Sequence, residues 1–149
     1  MKNLKISAGY LVKNNDYFLL GRPFHSIFWS IFKGGQHKGE SLIETAKREL
    51  FEESFINIDD LLKKKVISRR HCEKLLCKYS VKKKRYEKIV YVYLLELPDS
   101  CIANLTTNLK CSTFSEDVGL PEITLYRWFK KEKLKDAMFR SQLWILNFI

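Results

Sequence analysis

GGQHKGESLIETAKRELFEESFI, Gly34 to Ile56, decides how this chain is read. A helix advances about 100° per residue, so Glu49, Glu52 and Glu53 (i, i+3, i+4) project from one face. Three like charges there repel each other and destabilise an isolated helix. A hard divalent cation such as Mg²⁺ removes that penalty, because it takes carboxylate and carbonyl oxygens and binds substrate phosphate as well. Arg48 lies four residues before Glu52 and can bridge to it. Glu40 comes eight residues before Arg48, and Gly34 six before Glu40, so a glycine-bearing loop leads into the acidic helix. Ser41 with Glu44 forms a capping box, and Ile43, Ala46, Leu50 and Ser54 are the stripe expected to face the core. The chemistry suggested is metal-assisted attack on a phosphate chain.

Outward from this helix the pattern is mostly strand. Ile6–Val12 and Tyr17–Leu20 are β-prone runs joined by Lys13-Asn14-Asn15-Asp16, which predicts a hairpin, with Gly21-Arg22-Pro23 ending it. Phe28 to Phe32 predicts a strand into the glycine loop, Lys33 to Gly39. Beyond the helix, strands are predicted at Val66–Ser68, Leu75–Lys82, Lys88–Leu97 and Leu125–Phe129. Cys101 to Leu120 reads as a long loop. Lys131 to Phe148 reads as a helix with Leu134, Ala137, Met138, Leu143 and Trp144 along its apolar stripe. There is no repeat and no linker, so residues 1–149 are expected to form one domain.

Composition narrows the class further. Hydrophobic content is 46% and there are 10 Phe, 7 Tyr and 3 Trp, enough for a globular core. Met1 to Lys5 lacks the apolar run of a signal peptide, and no run is long enough to span a bilayer, so a cytoplasmic protein without membrane contact is expected. Cys72, Cys77, Cys101 and Cys111 lack the spacing of a zinc site, even with His71 beside Cys72, and read as reduced thiols. Between Leu61 and Val90 stand 12 Lys/Arg and 2 Glu, which equals the +10 of the whole chain. That window, with Lys63, the Lys82–Arg85 run and Lys88, is either a solvated face or a basic wall for polyphosphate or RNA.

The box itself resembles the Nudix hydrolase family, whose signature is G-x5-E-x7-R-E-U-x-E-E-x-G-U with U a bulky aliphatic residue. Gly34, Glu40, Arg48, Glu49, Leu50, Glu52, Glu53 and Ile56 fall in register, while Phe55 replaces the late glycine and is expected to alter the helix exit. Glu122-Ile123-Thr124-Leu125-Tyr126-Arg127-Trp128-Phe129 is similar to a late segment of the family. The resemblance implies a Nudix α/β/α sandwich, an α/β fold with a mixed, curved sheet between the box helix and a C-terminal helix. It implies hydrolysis of a nucleoside diphosphate linked to another group, with Mg²⁺ or Mn²⁺ held by Glu49, Glu52 and Glu53 and the carbonyl near Lys33. Arg48 would orient the carboxylates, and Glu40 would tie loop to helix.

The general base stays open among the box helix, Glu122, Glu116 and Asp117. Arg22, Phe28, Trp29 and Lys33 are the substrate-binding candidates, with Phe24, Tyr79, His37 and the Lys82–Arg85 run beside them. The marks of the ADP-ribose and coenzyme A subclasses are missing. The form of the loop at Lys33-Gly34 is similar to that of hydrolases of dinucleoside polyphosphates or of 5′-phosphorylated or capped RNA ends. Nucleoside triphosphates, nucleotide sugars and a non-catalytic nucleotide- or RNA-binding domain are the alternatives. A homodimer through the aromatic C-terminus is also compatible with the resemblance.

Overall fold

The alternating run after Asn3 and the polar turn behind it form the hairpin expected of them. A computed structural model describes residues 3–149. Strand β1 (Asn3–Asn14) pairs antiparallel with β2 (Tyr17–Pro23), and Asn15 supplies the left-handed residue of the turn. The 12 residues of β1 serve three partners. Val12 to Asn14 pair with β2, and Ser7 to Tyr10 pair with β3 (Phe32–Gly35). Along its other edge β1 runs parallel to β5 (Tyr86–Glu96). With β4 (Lys74–Lys82) and β6 (Ile123–Lys130) this makes a mixed, six-stranded sheet in the order β4-β5-β1-β2-β6, β3 lying beside β1. Strands β2 and β3 share one edge of β1 and splay apart from it, and the connection between them fills the angle.

Strand alternation divides the core in two. Tyr10, Val12, Leu19 and Phe32 face helix α1 (Leu42–Ser54), whose Ala46 and Leu50 are fully buried against them. Leu11, Phe18, Leu20, Val90 and Val92 face the C-terminal segment, with Leu134, Met138 and Ile145. The buried residues of α1 are Thr45, Ala46, Leu50, Glu53 and Ser54; Ile43 is only half-buried.

Phe55 does not distort the helix exit. It takes the left-handed conformation itself, φ 68° and ψ 12°, and its N–H donates to the Phe51 carbonyl at 2.8 Å. That geometry costs a non-glycine residue about 1–2 kcal/mol. The ring offsets part of the cost by lying 5.0 Å from Phe51 and 4.5 Å under the Lys110 ammonium. Phe55→Gly is therefore expected to shift stability by less than about 1 kcal/mol, whereas Phe55→Val, which loses the ring and keeps the strain, should cost about 2 kcal/mol. Urea unfolding of both variants checks this.

Several sequence-based expectations are corrected. Strand β2 continues through Gly21, Arg22 and Pro23. Phe28 to Ile31 is not a regular strand, and β3 starts at Phe32 and runs into the glycines. Val66 to Ser68 is a bend after a short helix α2 (Ile58–Lys63), whose Asn57 side chain caps the Asp60 N–H at 3.0 Å. The stretch from Cys101 holds helix α3 (Ile102–Thr107), with Leu105 packed on the core.

The C-terminal region is not one helix. Helix α4 (Leu134–Ala137) stops at Met138 and Phe139, and a 3₁₀ stretch follows over Arg140–Phe148. Trp29 breaks it: its N–H donates to the Ala137 carbonyl at 2.8 Å, and its carbonyl accepts from the Phe139 N–H at 3.1 Å. The 3₁₀ period buries Gln142 and Ile145 three residues apart and leaves Trp144 exposed. Among the described residues no helix is long and apolar enough to cross a membrane.

Candidate active site

Helix α1 is anchored at its start by the capping box, Ser41 and Glu44 exchanging bonds of 3.2 Å. Glu40 fastens the preceding loop. It accepts from the His37 N–H at 2.8 Å, the Thr45 hydroxyl at 3.0 Å and Arg48 Nε at 2.7 Å. Arg48 also donates to the Gly35 carbonyl at 2.8 Å, so one guanidinium holds loop and helix together. Its Nη1 reaches Glu49 at 2.8 Å and Glu52 at 3.2 Å. Three carboxylates thus share one cation, and the guanidinium is held firmly protonated by them, Glu40 first.

Hydrogen bonds from Arg48 pull the Glu40 carboxyl from 4.5 down to about 2. A value lowered on folding means that the unfolded chain binds more protons in between. The stabilisation is complete above about pH 4.5 and is lost as pH falls toward 2. Glu40→Gln should lower stability by about 1–3 kcal/mol at neutral pH and by less in acid, as read by urea unfolding at both.

The other carboxylates sit deeper. Glu53 is 8% exposed, and its Oε1 accepts from the Lys33 N–H at 2.9 Å. Burial pushes its carboxyl well up, and the Glu49 charge adds to that. Glu49 is raised as well, chiefly by burial, with Arg48 opposing and Glu52 and Glu122 adding repulsion. Gly34 makes this packing fit: a methyl group there would overlap the Glu49 carboxylate. The end of the helix is clasped from outside. The Tyr126 hydroxyl donates to the Glu53 carbonyl, and Ser112 donates its N–H (2.7 Å) and hydroxyl (3.1 Å) to the Glu52 carbonyl. These are last-turn carbonyls with no partner inside the helix.

Beside Glu53 opens a cavity of about 510 Å³. Among its walls are Lys33, Glu53, Glu116 and Glu122, with Phe24 and Phe114 as the aromatic surfaces. Glu122 is exposed at the mouth, where β6 begins. Sequence reasoning named Phe24, Lys33, Glu53, Glu116 and Glu122 but passed over His25, Phe114 and Ser115. The signal for Phe114 was there: one large aromatic alone in a polar loop, and it is 57% exposed.

Three of the substrate-binding candidates do not line this cavity. Trp29 is buried in the second core, edge-on to Phe129 at 5.1 Å. The Arg22 guanidinium lies 5.8 Å over the Trp29 ring, with its Nε buried and lacking a hydrogen bond. Phe28 packs 5.8 Å from Phe139. Tyr79 is buried in the second core, and His37 serves the loop through its backbone. Asp117 is not among the wall residues either.

The donor set fits a hard divalent cation. Glu49, Glu52 and Glu53 share one helix face, a glycine leaves room for the Glu49 carboxylate, and Glu53 is buried with a repelling neighbour. The side chains are not drawn into a tight cage: among the described residues no three His, Cys, Asp or Glu converge as metal donors. Arg48 occupies part of their capacity, its bonds to Glu52 (3.2 and 3.3 Å) being longer than those to Glu40 and Glu49. Glu52 is thereby the carboxylate most easily given up to a cation. The four cysteines carry no disulfide.

A family model described as the NUDIX domain matches residues 3–144. No curated protein matches the chain significantly. Among solved structures, a MutT Nudix hydrolase from Burkholderia pseudomallei is 15% identical, with a TM-score of 0.70 and 99% of each chain covered. A MutT protein from Methanosarcina mazei Go1 is 19% identical, with a TM-score of 0.69 over 98% of this chain and 92% of that one. A C. elegans Ap4A hydrolase in a binary complex is 18% identical, with a TM-score of 0.68 over 96% and 93%. At these identities the structural likeness speaks for the fold.

Proposed function

Since the chain belongs to the Nudix hydrolase family, we propose that it cleaves a pyrophosphate bond in a nucleoside diphosphate linked to another group, with Mg²⁺ or Mn²⁺. The substrate is a dinucleoside polyphosphate or the 5′-phosphorylated or capped end of an RNA. The observation that carries this reading is the cavity itself. It joins a buried carboxylate, Glu53, to a lysine, two further carboxylates and two aromatic walls, Phe24 half-buried and Phe114 exposed. That is a polar floor for phosphates under surfaces on which a base can stack. The Ap4A hydrolase among the structural neighbours agrees with the first substrate class.

Glu49, Glu52 and Glu53, with the carbonyl of Lys33 or Gly34, would hold the cation. When bound, it supplies neutralisation of the phosphate oxygens and a lowered pKa for water. The chain does the rest. Lys33 holds a phosphate at the cavity wall, and Phe24 and Phe114 take the nucleobase. Arg48 keeps Glu49 and Glu52 in place while Glu40 fixes Arg48. Glu122 accepts the proton of the attacking water as its oxygen bonds to phosphorus and the bridging P–O bond breaks, releasing the second phosphate. Glu122 lines the cavity, and its backbone is held by Phe24 and Thr113. Among the described residues its carboxylate is in no ion pair, which leaves its lone pairs for that proton.

The test is product release from a panel of dinucleoside polyphosphates, 5′-triphosphorylated and capped RNA, nucleoside triphosphates, ADP-ribose and nucleotide sugars. Each is assayed with Mg²⁺, with Mn²⁺ and with chelator. Turnover of a dinucleoside polyphosphate or RNA end, stopped by chelator, is the expected result. Preferred turnover of nucleotide sugars or nucleoside triphosphates would overturn the substrate assignment, and nucleotide binding with no turnover of anything would overturn the activity.

A further inference from the structure

The sheet face away from α1 carries a row of lysines of which the chemistry above uses only Lys33. Lys5 of β1 and Lys88 of β5 are direct partners in the parallel register. Leu11, Val90 and Val92 belong to the second core, so alternation puts Lys5 and Lys88 on that same face. Lys33 shares it, because it pairs with Gly9 and its neighbour Phe32 points to the first core. Lys83 extends the row: its N–H donates to the Tyr86 carbonyl at 2.9 Å, two residues beyond Val81, which also faces the second core.

Between Lys33 and Lys5 the strand residues are small: Gly9 and Ser7 are buried, and Gly35, the partner of Ser7, is exposed. A methyl group on Gly35 would meet nothing within 4 Å. From Gly9 to Lys5 is four residues of strand, about 13 Å at roughly 3.3 Å each.

Beyond Lys33, which shares the cavity wall with Glu53, this row lacks acids. Among the described residues none of Lys5, Lys33, Lys83 and Lys88 is in an ion pair, and Glu87 bonds Ser80 on the other face. Lys88 is half-buried and held below its ordinary value, by burial first and then by Lys33, Lys83 and Lys5. The four charges are therefore near enough to repel; the Tyr86 ring, 4.1 Å from the Lys5 ammonium, eases one of them, and a bound anion would relieve the rest. Elsewhere in the basic window the charges are partly spent: Lys64 pairs with Asp60 and Arg69 with Glu73. The wall read from the sequence is thus two surfaces, and only one of them adjoins the cavity.

We propose that Lys5, Lys83 and Lys88 form a track for phosphates beyond the scissile bond, so that the enzyme prefers substrates whose phosphate chain continues about 13 Å from the cavity. This rests on the hydrolase reading for its starting point, Lys33. The continuing chain is either further anhydride phosphates or the phosphodiesters of an RNA.

Two ligand series distinguish the sources: 5′-triphosphorylated RNA oligonucleotides of rising length, and dinucleoside polyphosphates of rising phosphate number. Affinity is measured on a Glu52→Gln background, so that ligands are not consumed, with and without Lys5→Gln/Lys83→Gln, both exposed positions. Affinity should rise with length in one series and name the source. The double change should lower binding of the longest member about tenfold and flatten the slope of log K against log salt by about 1.4, two contacts at about 0.7 each. Arginine at both positions should restore binding, and Lys64→Gln/Lys65→Gln should leave it unchanged. No length dependence in either series, or an equal loss in the Lys64/Lys65 variant, overturns the track. Length-dependent binding without any wild-type turnover supports the track and overturns the catalytic reading instead.

Discussion

Glu52→Gln is expected to lower kcat roughly a thousandfold while changing nucleotide affinity little. Glutamine keeps the shape of the side chain and removes the charge, which is what a divalent cation needs and a stacked base does not. The fold should survive, because Arg48 keeps its shorter bonds to Glu40 (2.7 Å) and Glu49 (2.8 Å). The bond lost from Glu52 is the longer, half-exposed one at 3.2 Å. A thermal melt beside steady-state kinetics separates the two effects: an unchanged melt with lost turnover is the expected pair. A variant that keeps more than a tenth of the wild-type kcat would remove Glu52 from the chemistry.

The second large effect comes from one methyl group. Gly34→Ala places a Cβ where the Glu49 carboxylate lies. Glu49 cannot retreat freely, being held by Arg48 and lying in the cluster with Glu52 and Glu53. Either β3 moves away from β1, where Gly34 pairs with Ala8, or the carboxylate swings out. A misplacement of about 1 Å in a catalytic group can cost on the order of a hundredfold in rate, and that loss in kcat is expected here. Gly35→Ala is the control, since its added methyl meets nothing. Equal activity of the two alanine variants would show that the close approach of loop and carboxylate is not used.

What the sequence disclosed follows from the range of the forces involved. Helix α1, its cap and its acidic face were readable because they depend on spacings of three and four residues. The hairpin was readable for the same local reason. Helices α2 and α3, six residues each, are too short to show a period. The C-terminal segment has helical spacing, but backbone bonds from Trp29 override it. The site divides likewise. The carboxylates lie in one stretch, whereas Tyr126 and Ser112 reach their backbone carbonyls only through the fold. Trp29 and Arg22 looked like binding residues because aromatics and arginines bind nucleotides, yet packing claims them first. Lys5 and Lys88 become neighbours only through the parallel pairing of β1 and β5, which no local pattern records.

The central claim is that the carboxylates of α1 hold the divalent cation on which turnover depends. The most direct measurement is a Mn²⁺ titration followed by electron paramagnetic resonance, on the wild type, Glu52→Gln and Glu53→Gln, with turnover read in the same samples. Bound Mn²⁺ should rise in step with activity in the wild type, and both should fall in the two variants. Unchanged Mn²⁺ binding in both variants, or turnover that ignores Mn²⁺ and chelator, would contradict it.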